Sequence, residues 1–389
     1  MDSSSHQVVN GLVLTGGGAR AAYQVGVLRA ISQITRFEKS PFQVISGYSA
    51  GAINGAWLAG GAHNLDQATE CMWREWSTIS PEKVYDVEAQ RVLTIASRWL
   101  KDRLFGSMSG QQITYLLDTR PLQDFIRTRI DYKGIRHHLQ TGVLRALSVT
   151  AANYRTGHST TFFSGDENIK SWKSLNRVSV REEIRPEHVI ASSAIPIFFS
   201  PVRLGDGHYG DGMVRLNAPL SAAVHMGSER LLVIGIRGPS STTEDLTTRK
   251  ESVTLGEIAG TILNGLFFDS LDADLARFER INRTISAMSD RERDRLPDRL
   301  RYIPVLSLKP SMEVGQMPEC EMARLPGTLR YLLKGIGLSE TKGLDLLSYL
   351  SFEPKYVGSL LELGYEDTLR RKDQVLEFFS TDPASLAKG

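Results

Sequence analysis

Cysteine is scarce in this chain, with two among 389 residues, Cys71 and Cys320, far apart and in no CxxC pattern. That excludes a disulfide framework and a cysteine zinc site, and it fits a reducing compartment. No stretch of 18 apolar residues runs uninterrupted, so no membrane-spanning helix is expected. The N-terminal MDSSSHQVVN carries neither a positive cluster nor an apolar stretch, and does not read as a secretory signal. An excess of one charge is also missing. Lys plus Arg total 46 against 44 for Asp plus Glu, a net charge of +2 that gives no footing for broad nucleic-acid binding. HExxH, EF-hand and Gly-Lys-Ser/Thr patterns are absent too, so neither a metal nor a P-loop nucleotide is called for. What remains is ordinary globular composition, 41% hydrophobic and 23% charged, enough for a large core.

Apolar patterning places two strand-to-helix units at the start. Val8 to Leu14 is a strand broken by Gly16, Gly17 and Gly18, and Ala19 to Ile34 follows at helical spacing. Phe42 to Ser46 is a second strand, broken at Gly47, before a small-residue helix over Ala50 to Ala59. Two such units in succession predict an α/β fold with parallel strands. Residues 64–130 read as mostly helical. Strands are expected at Gly142 to Ala152, Ser159 to Phe163, Leu231 to Ile236 and Ile303 to Leu308, with a tight hairpin from Val202 to Tyr209 turning at Asp206-Gly207. Gly238 to Thr248 reads as a surface loop. Val253 to Met288 returns to helix, and from Leu329 onward the chain is helical, one helix stopping at Gly364. The expected organisation is an α/β domain over 8–310 with a helical C-terminal extension over 311–389.

Two glycine-rich turns could carry chemistry. Gly47, Tyr48, Ser49, Ala50 and Gly51 form a G-x-S-x-G between a predicted strand and a predicted helix. A nucleophile on so sharp a turn needs small neighbours, and the helix N-terminus favours developing negative charge. The alternative is a plain Gly/Ser turn. At Gly16, Gly17 and Gly18, followed by Arg20, consecutive glycines let several amides point into one concavity suited to an anion or an oxyanion. Gly16, Gly18 and Ala21 also fit G-x-G-x-x-A, which keeps a dinucleotide-binding oxidoreductase in play. That fingerprint wants an acid after the next strand, and there the chain has Gly47 and Ser49 instead. A tight strand-helix turn is the third reading.

The base for Ser49 is less plain. Of the later histidines, His63, His137, His138, His158, His188, His208 and His225, none stands in a recognisable catalytic setting, and His208 falls in a short hairpin strand. Asp211, between Gly210 and Gly212, has an approachable carboxylate, yet Asp-Gly is also a common turn pair, and spacing alone does not choose.

Taken together, the glycine run with Arg20, the G-x-S-x-G at Ser49, the segment Ala191 to Pro201 and the late Asp211-Gly212 resemble the patatin-like phospholipases, over residues 8–225. The resemblance implies a patatin-like α/β/α sandwich with a mainly parallel central sheet. It implies Ser49 as nucleophile and Asp211 as its base, with Gly16, Gly17 and Gly18 as oxyanion hole and Arg20, Gly47, Gly51 and Gly212 in support. It implies acyl-ester hydrolysis on a lipid or phospholipid through an acyl-enzyme, with no cofactor and no metal. One departure is Met213, where many members have a small residue, and it bears on pocket shape. A non-catalytic lipid-binding protein of the same fold is a further alternative. The expected location is cytoplasmic, with peripheral membrane contact left open; Ile195 to Phe199 and Leu263 to Phe268 are apolar stretches that could line an acyl pocket, touch a membrane or pack in the core. The interleaved charges of 289–301 read as a solvated helix or loop.

Overall fold

The computed structural model describes residues 8–86, 115–239, 269–293, 295–296, 300–335 and 344–380. The strands, in chain order, are β1 (Asn10–Leu14), β2 (Val44–Tyr48), β3 (Ala146–Asn153), β4 (Ser159–Gly165), β5 (Lys173–Ser174), β6 (Arg177–Arg181), β7 (Val202–Leu204), β8 (Gly207–Asp211), β9 (Arg230–Ile234) and β10 (Val305–Leu308). The helices are α1 (Ala22–Thr35), α2 (Ala50–Gly60), α3 (Leu65–Ser77), α4 (Pro81–Val84), α5 (Arg120–Arg129), α6 (Tyr132–Gln140), α7 (Pro186–Ser192) and α8 (Ser221–His225), then α9 (Asp269–Ser286), α10 (Asp290–Arg293), α11 (Gly327–Gly335), α12 (Leu344–Leu350), α13 (Pro354–Arg370) and α14 (Lys372–Ser380).

One sheet runs in the order β10-β9-β1-β2-β3-β4-β6-β5. From β10 through β3 every neighbour along this path is parallel; antiparallel pairing enters at β3–β4, at the β5–β6 edge, and through the β7–β8 hairpin, whose β8 pairs with β3. The fold is therefore mixed α/β with a mostly parallel central sheet. Side chains alternate between the faces as a period of two requires. Leu12, Leu14, Leu232 and Ile234 join one apolar cluster with α1, α2 and the C-terminal helices, while Val13, Leu231 and Val233 join another with Ala222, Ala223 and Leu271. Helices on both faces explain why β1, β2 and β9 are buried throughout.

Several local expectations shift. A 3₁₀ turn over Gly18–Ala21 precedes α1, so the regular helix starts at Ala22. β2 continues through Gly47 to Tyr48, because a glycine there lets the Gly51 carbonyl come within 2.4 Å of where a Cβ would stand. The hairpin turns at Gly205-Asp206; the positive φ belongs to Gly205, and Gly207 already pairs with Leu204. β5, β6 and the short helix α7 were not foreseen. Residues 87–114, within the region read as helical, lie outside the described residues, as do 240–248 of the expected surface loop and 253–268, with the apolar stretch Leu263 to Phe268.

The larger correction concerns Gly364. The helix does not stop there but runs from Pro354 to Arg370. A Cβ on Gly364 would stand 2.1 Å from the Tyr23 carbonyl, and one on Gly26 would stand 2.0 Å from the Leu361 carbonyl. The two glycines let α1 and α13 approach backbone to backbone. The Tyr23 hydroxyl reaches Asp367 at 3.3 Å beside this crossing. Among the described residues no helix is long and apolar enough to cross a membrane.

Candidate active site

β3 organises the site. Its edge toward β2 is shared by two strands: β2 pairs with it up to Tyr48 opposite Thr150, and β8, running the other way, takes over with Asp211 opposite Ala151. The C-terminal ends of β2 and β8 thus abut on one neighbour. Ser49 follows β2 and Asp211 closes β8, and the Ser49 hydroxyl donates to Asp211 Oδ2 at 2.5 Å.

Ser49 sits at φ 55°, ψ −135° as the residue before α2. Positive φ is uncommon for a residue with a side chain, and here it turns the hydroxyl toward Asp211 at the helix N-terminus. The strained residue is held from outside: its amide donates to Ser192 Oγ at 2.9 Å, and the Ser192 hydroxyl donates to the Thr150 carbonyl at 2.6 Å. Gly47 and Gly51 make the turn passable. A Cβ on Gly51 would come within 2.3 Å of the Leu14 carbonyl. Gly212 is pressed against β3, 2.1 Å from the Thr150 carbonyl by the same measure.

Asp211 is fully buried, and Ser49 is 1% exposed. Burial pushes the Asp211 carboxyl up to about 7, opposed by hydrogen bonds from the Ser49 hydroxyl and the Met213 amide, which donates to Oδ1 at 3.0 Å. The Tyr48 phenol is raised by burial first and by the Asp211 charge second. A carboxyl with so high a pKa is a better proton acceptor than a free aspartate near 3.9.

The glycine loop lies against this pair. A Cβ on Gly16 would stand 2.5 Å from Ser49 Cβ. Gly18 has φ +55°, and a Cβ there would fall 2.2 Å from the Tyr349 carbonyl. Among the described residues the Gly17 and Gly18 amides donate to no protein acceptor. Arg20 is buried, its Nε donating to Ser348 Oγ at 2.7 Å and its guanidinium lying 4.8 Å from the Tyr349 ring centroid. The loop is therefore seated on α12.

The histidines stand apart from Ser49 and Asp211. His63 and His138 pair at 3.2 Å, His188 Nδ1 accepts the Arg185 amide at 3.0 Å, His225 stacks on Trp172, and His208 lies on the exposed side of the β7–β8 hairpin. No group of three His, Cys, Asp or Glu that could hold a metal occurs among the described residues. In the stretch Ile195 to Phe199, Ile195, Phe198 and Phe199 are core, while Ile197 is 68% exposed with φ 72°. Ser192 and Ser348 were missed from sequence. Ser192 falls within the stretch Ala191 to Pro201, but nothing local marks it as the partner of Ser49, 143 positions away; Ser348 has no local pattern and acts through Arg20, 328 positions away.

A family model described as patatin-like phospholipase matches residues 12–224. No curated protein matches. Among solved structures, the chain is similar to human GIVD cytosolic phospholipase A2 in complex with methyl gamma-linolenyl fluorophosphonate, at 15% identity over 96% of this chain and 58% of that one, with a TM-score of 0.44. It is similar to VipD from Legionella pneumophila at 14% identity over 94% of this chain and 67% of that one, TM-score 0.33. For the type III effector protein ExoU the values are 11%, 96% and 54%, TM-score 0.37. This chain thus spans little more than half the length of the human phospholipase and of ExoU. The family match runs over more than half of the 389 residues and takes in the glycine loop, Ser49 and Asp211, which makes this chain a member of the patatin-like phospholipase family.

Proposed function

We propose that the protein hydrolyses carboxylic esters of lipids, of the phospholipase A or lysophospholipase type, with Ser49 and Asp211 as a catalytic dyad. The observation that carries this is the 2.5 Å hydrogen bond between two buried groups at the abutting strand ends. As Ser49 Oγ attacks the ester carbonyl carbon, Asp211 takes the hydroxyl proton. The carbonyl oxygen, now negative, faces the amides of Gly16, Gly17 and Gly18, with Arg20 holding their loop. Collapse breaks the bond to the alcohol, which leaves with the proton from Asp211. Water then attacks the acyl-enzyme, Asp211 accepts its proton, and the fatty acid departs as Ser49 is reprotonated. Each oxyanion donor of this kind contributes about 10²–10³ in rate. Gly47, Gly51 and Gly212 hold the geometry by permitting close backbone approach. Neither metal nor cofactor has a step to perform.

In this reading residues 8–310 form the catalytic domain and 311–389 a helical extension packed on it, with α12 supporting the glycine loop. The substrate is a lipid or phospholipid met at a membrane surface by peripheral contact, from a cytoplasmic location. Liposome co-sedimentation at low and high salt tests that contact.

The decisive experiment is labelling with a fluorophosphonate probe, with the modified residue located by mass spectrometry, alongside fatty-acid release from phosphatidylcholine vesicles. Labelling at Ser49 together with release is expected. A folded protein that takes up no label and releases no fatty acid would instead be a lipid-binding relative without activity. Fluorescence titration with nicotinamide and flavin nucleotides addresses the oxidoreductase reading of Gly16 to Ala21, for which no change is expected.

A further inference from the structure

Met213 fills the space beside Ser49 and the glycine loop. Its amide is committed to Asp211, but its side chain reaches across to the glycine loop. A Cβ on Gly16 would stand 2.2 Å from Met213 Sδ and 3.0 Å from its Cγ, as well as 2.5 Å from Ser49 Cβ. Thioether and nucleophile therefore converge on the same face of Gly16. Met213 is almost fully buried, and with Tyr48, Leu216, Ile236 and Tyr349 it forms an apolar cluster separate from the two cores on the sheet faces. This cluster is the apolar surface that lies beside Ser49 and Gly16.

We propose that the Met213 side chain is a retractable stopper in the acyl-binding space and that it selects narrow, unbranched acyl chains. The inference rests on the serine-hydrolase reading above. Methionine suits such a part. It is unbranched, has three rotatable side-chain bonds and carries a soft thioether, so it fills an irregular apolar gap and can leave it without moving the backbone. A linear chain displaces it along its own length. A chain branched beside the carbonyl needs width at the point where Sδ meets Gly16 and Ser49.

The test uses two isomeric esters, p-nitrophenyl valerate and p-nitrophenyl pivalate, so that only acyl shape differs. The quantity read is the pivalate-to-valerate ratio of kcat/KM. Truncation in Met213→Ala keeps the amide that binds Asp211 and is expected to raise the ratio roughly tenfold, the scale on which a pocket discriminates by a methylene or two. A second variant, Met213→Ile, has similar volume but a stiff β-branched stem. Valerate turnover is expected to fall several-fold in it, with no rise in the ratio. An unchanged ratio in Met213→Ala, or Met213→Ile turning over valerate as fast as the unaltered protein, overturns the stopper. Fluorophosphonate labelling separates the two levels. If the unaltered protein is labelled at Ser49 and the ratio stays flat, Met213 alone is misassigned; if it is neither labelled nor active on either ester, the dyad reading falls and the stopper with it.

Discussion

Tyr48 and Asp211 end two strands against consecutive residues of a third, Tyr48 opposite Thr150 and Asp211 opposite Ala151. This head-to-head arrangement brings a hydroxyl and a carboxyl 162 positions apart into contact. Among the described residues it also leaves the carboxyl with two donors, Ser49 and Met213, and no imidazole.

The first expectation concerns the base. Asp211→Asn keeps size and shape but cannot take a proton, and its kcat is expected to fall by roughly 10²–10⁴. Ser49→Ala is expected to abolish turnover, while His208→Ala retains most of it. The assay is p-nitrophenyl ester hydrolysis by purified variants. A His208→Ala protein as inactive as Ser49→Ala would replace the dyad with a serine-histidine arrangement.

The second concerns pH. In the proposed dyad activity needs Asp211 ionised, and burial raises its carboxyl to about 7, so kcat/KM is expected to climb with pH and level off above neutrality. Stability runs the opposite way. The folded state holds this proton more tightly than the unfolded chain, so the stabilisation is complete below about pH 4 and is lost as pH rises through about 7. A shift from 3.8 to about 7 corresponds to something on the order of 4 kcal/mol. Asp211→Asn removes the buried charge, so at about pH 8 the inactive variant should melt above the unaltered protein and at about pH 5 it should not. Thermal melts at the two pH values decide it; equal Tm differences at both would count against a buried, high-pKa carboxyl.

The third concerns the prop under the glycine loop. Arg20→Ala removes the bond to Ser348 and the stacking on Tyr349. Losing a buried charged hydrogen bond costs about 1.5–3 kcal/mol, and a loosened loop aims its amides less well. Fluorophosphonate labelling is expected to slow about tenfold, roughly the rate equivalent of 1.4 kcal/mol, with partial recovery in Arg20→Lys. A folded Arg20→Ala protein labelled at the normal rate would sever α12 from the site.

The fourth compares two glycines with similar backbone. Gly18 has φ +55° and lies against the Tyr349 carbonyl, whereas Gly142 has φ +75° and nothing within 4 Å of a Cβ placed on it. Gly142→Ala carries only the left-handed strain of about 1–2 kcal/mol. Gly18→Ala adds a collision with backbone and should lower Tm much further. Equal losses in the two variants would remove the close contact from the account.

Strands were legible where a local pattern carries the information. The buried run to Leu14 before three glycines and the glycine-flanked Ser49 both declare themselves within a few residues. Asp211 did not, because Asp-Gly looks the same in a turn as at the end of β8, and only the resemblance distinguished it. Gly364 misled for a related reason: a glycine that ends a helix and one that admits a neighbouring backbone are identical in sequence, and here the neighbour is Tyr23, far away on α1. The supports at Ser192 and Ser348 are invisible in the same sense. A serine bonding across 143 or 328 positions leaves no mark on the residues beside it.

The bond from Arg20 to Ser348 has a consequence for biosynthesis. A ribosome releases the glycine loop, then Ser49, then Asp211, and only much later the helix on which the loop rests, 328 residues after the arginine. Under the proposed dyad, a half-made chain holds the nucleophile and its carboxyl without the strut that steadies the cradle, and the newborn polypeptide is spared a fully assembled centre until its synthesis has passed α12.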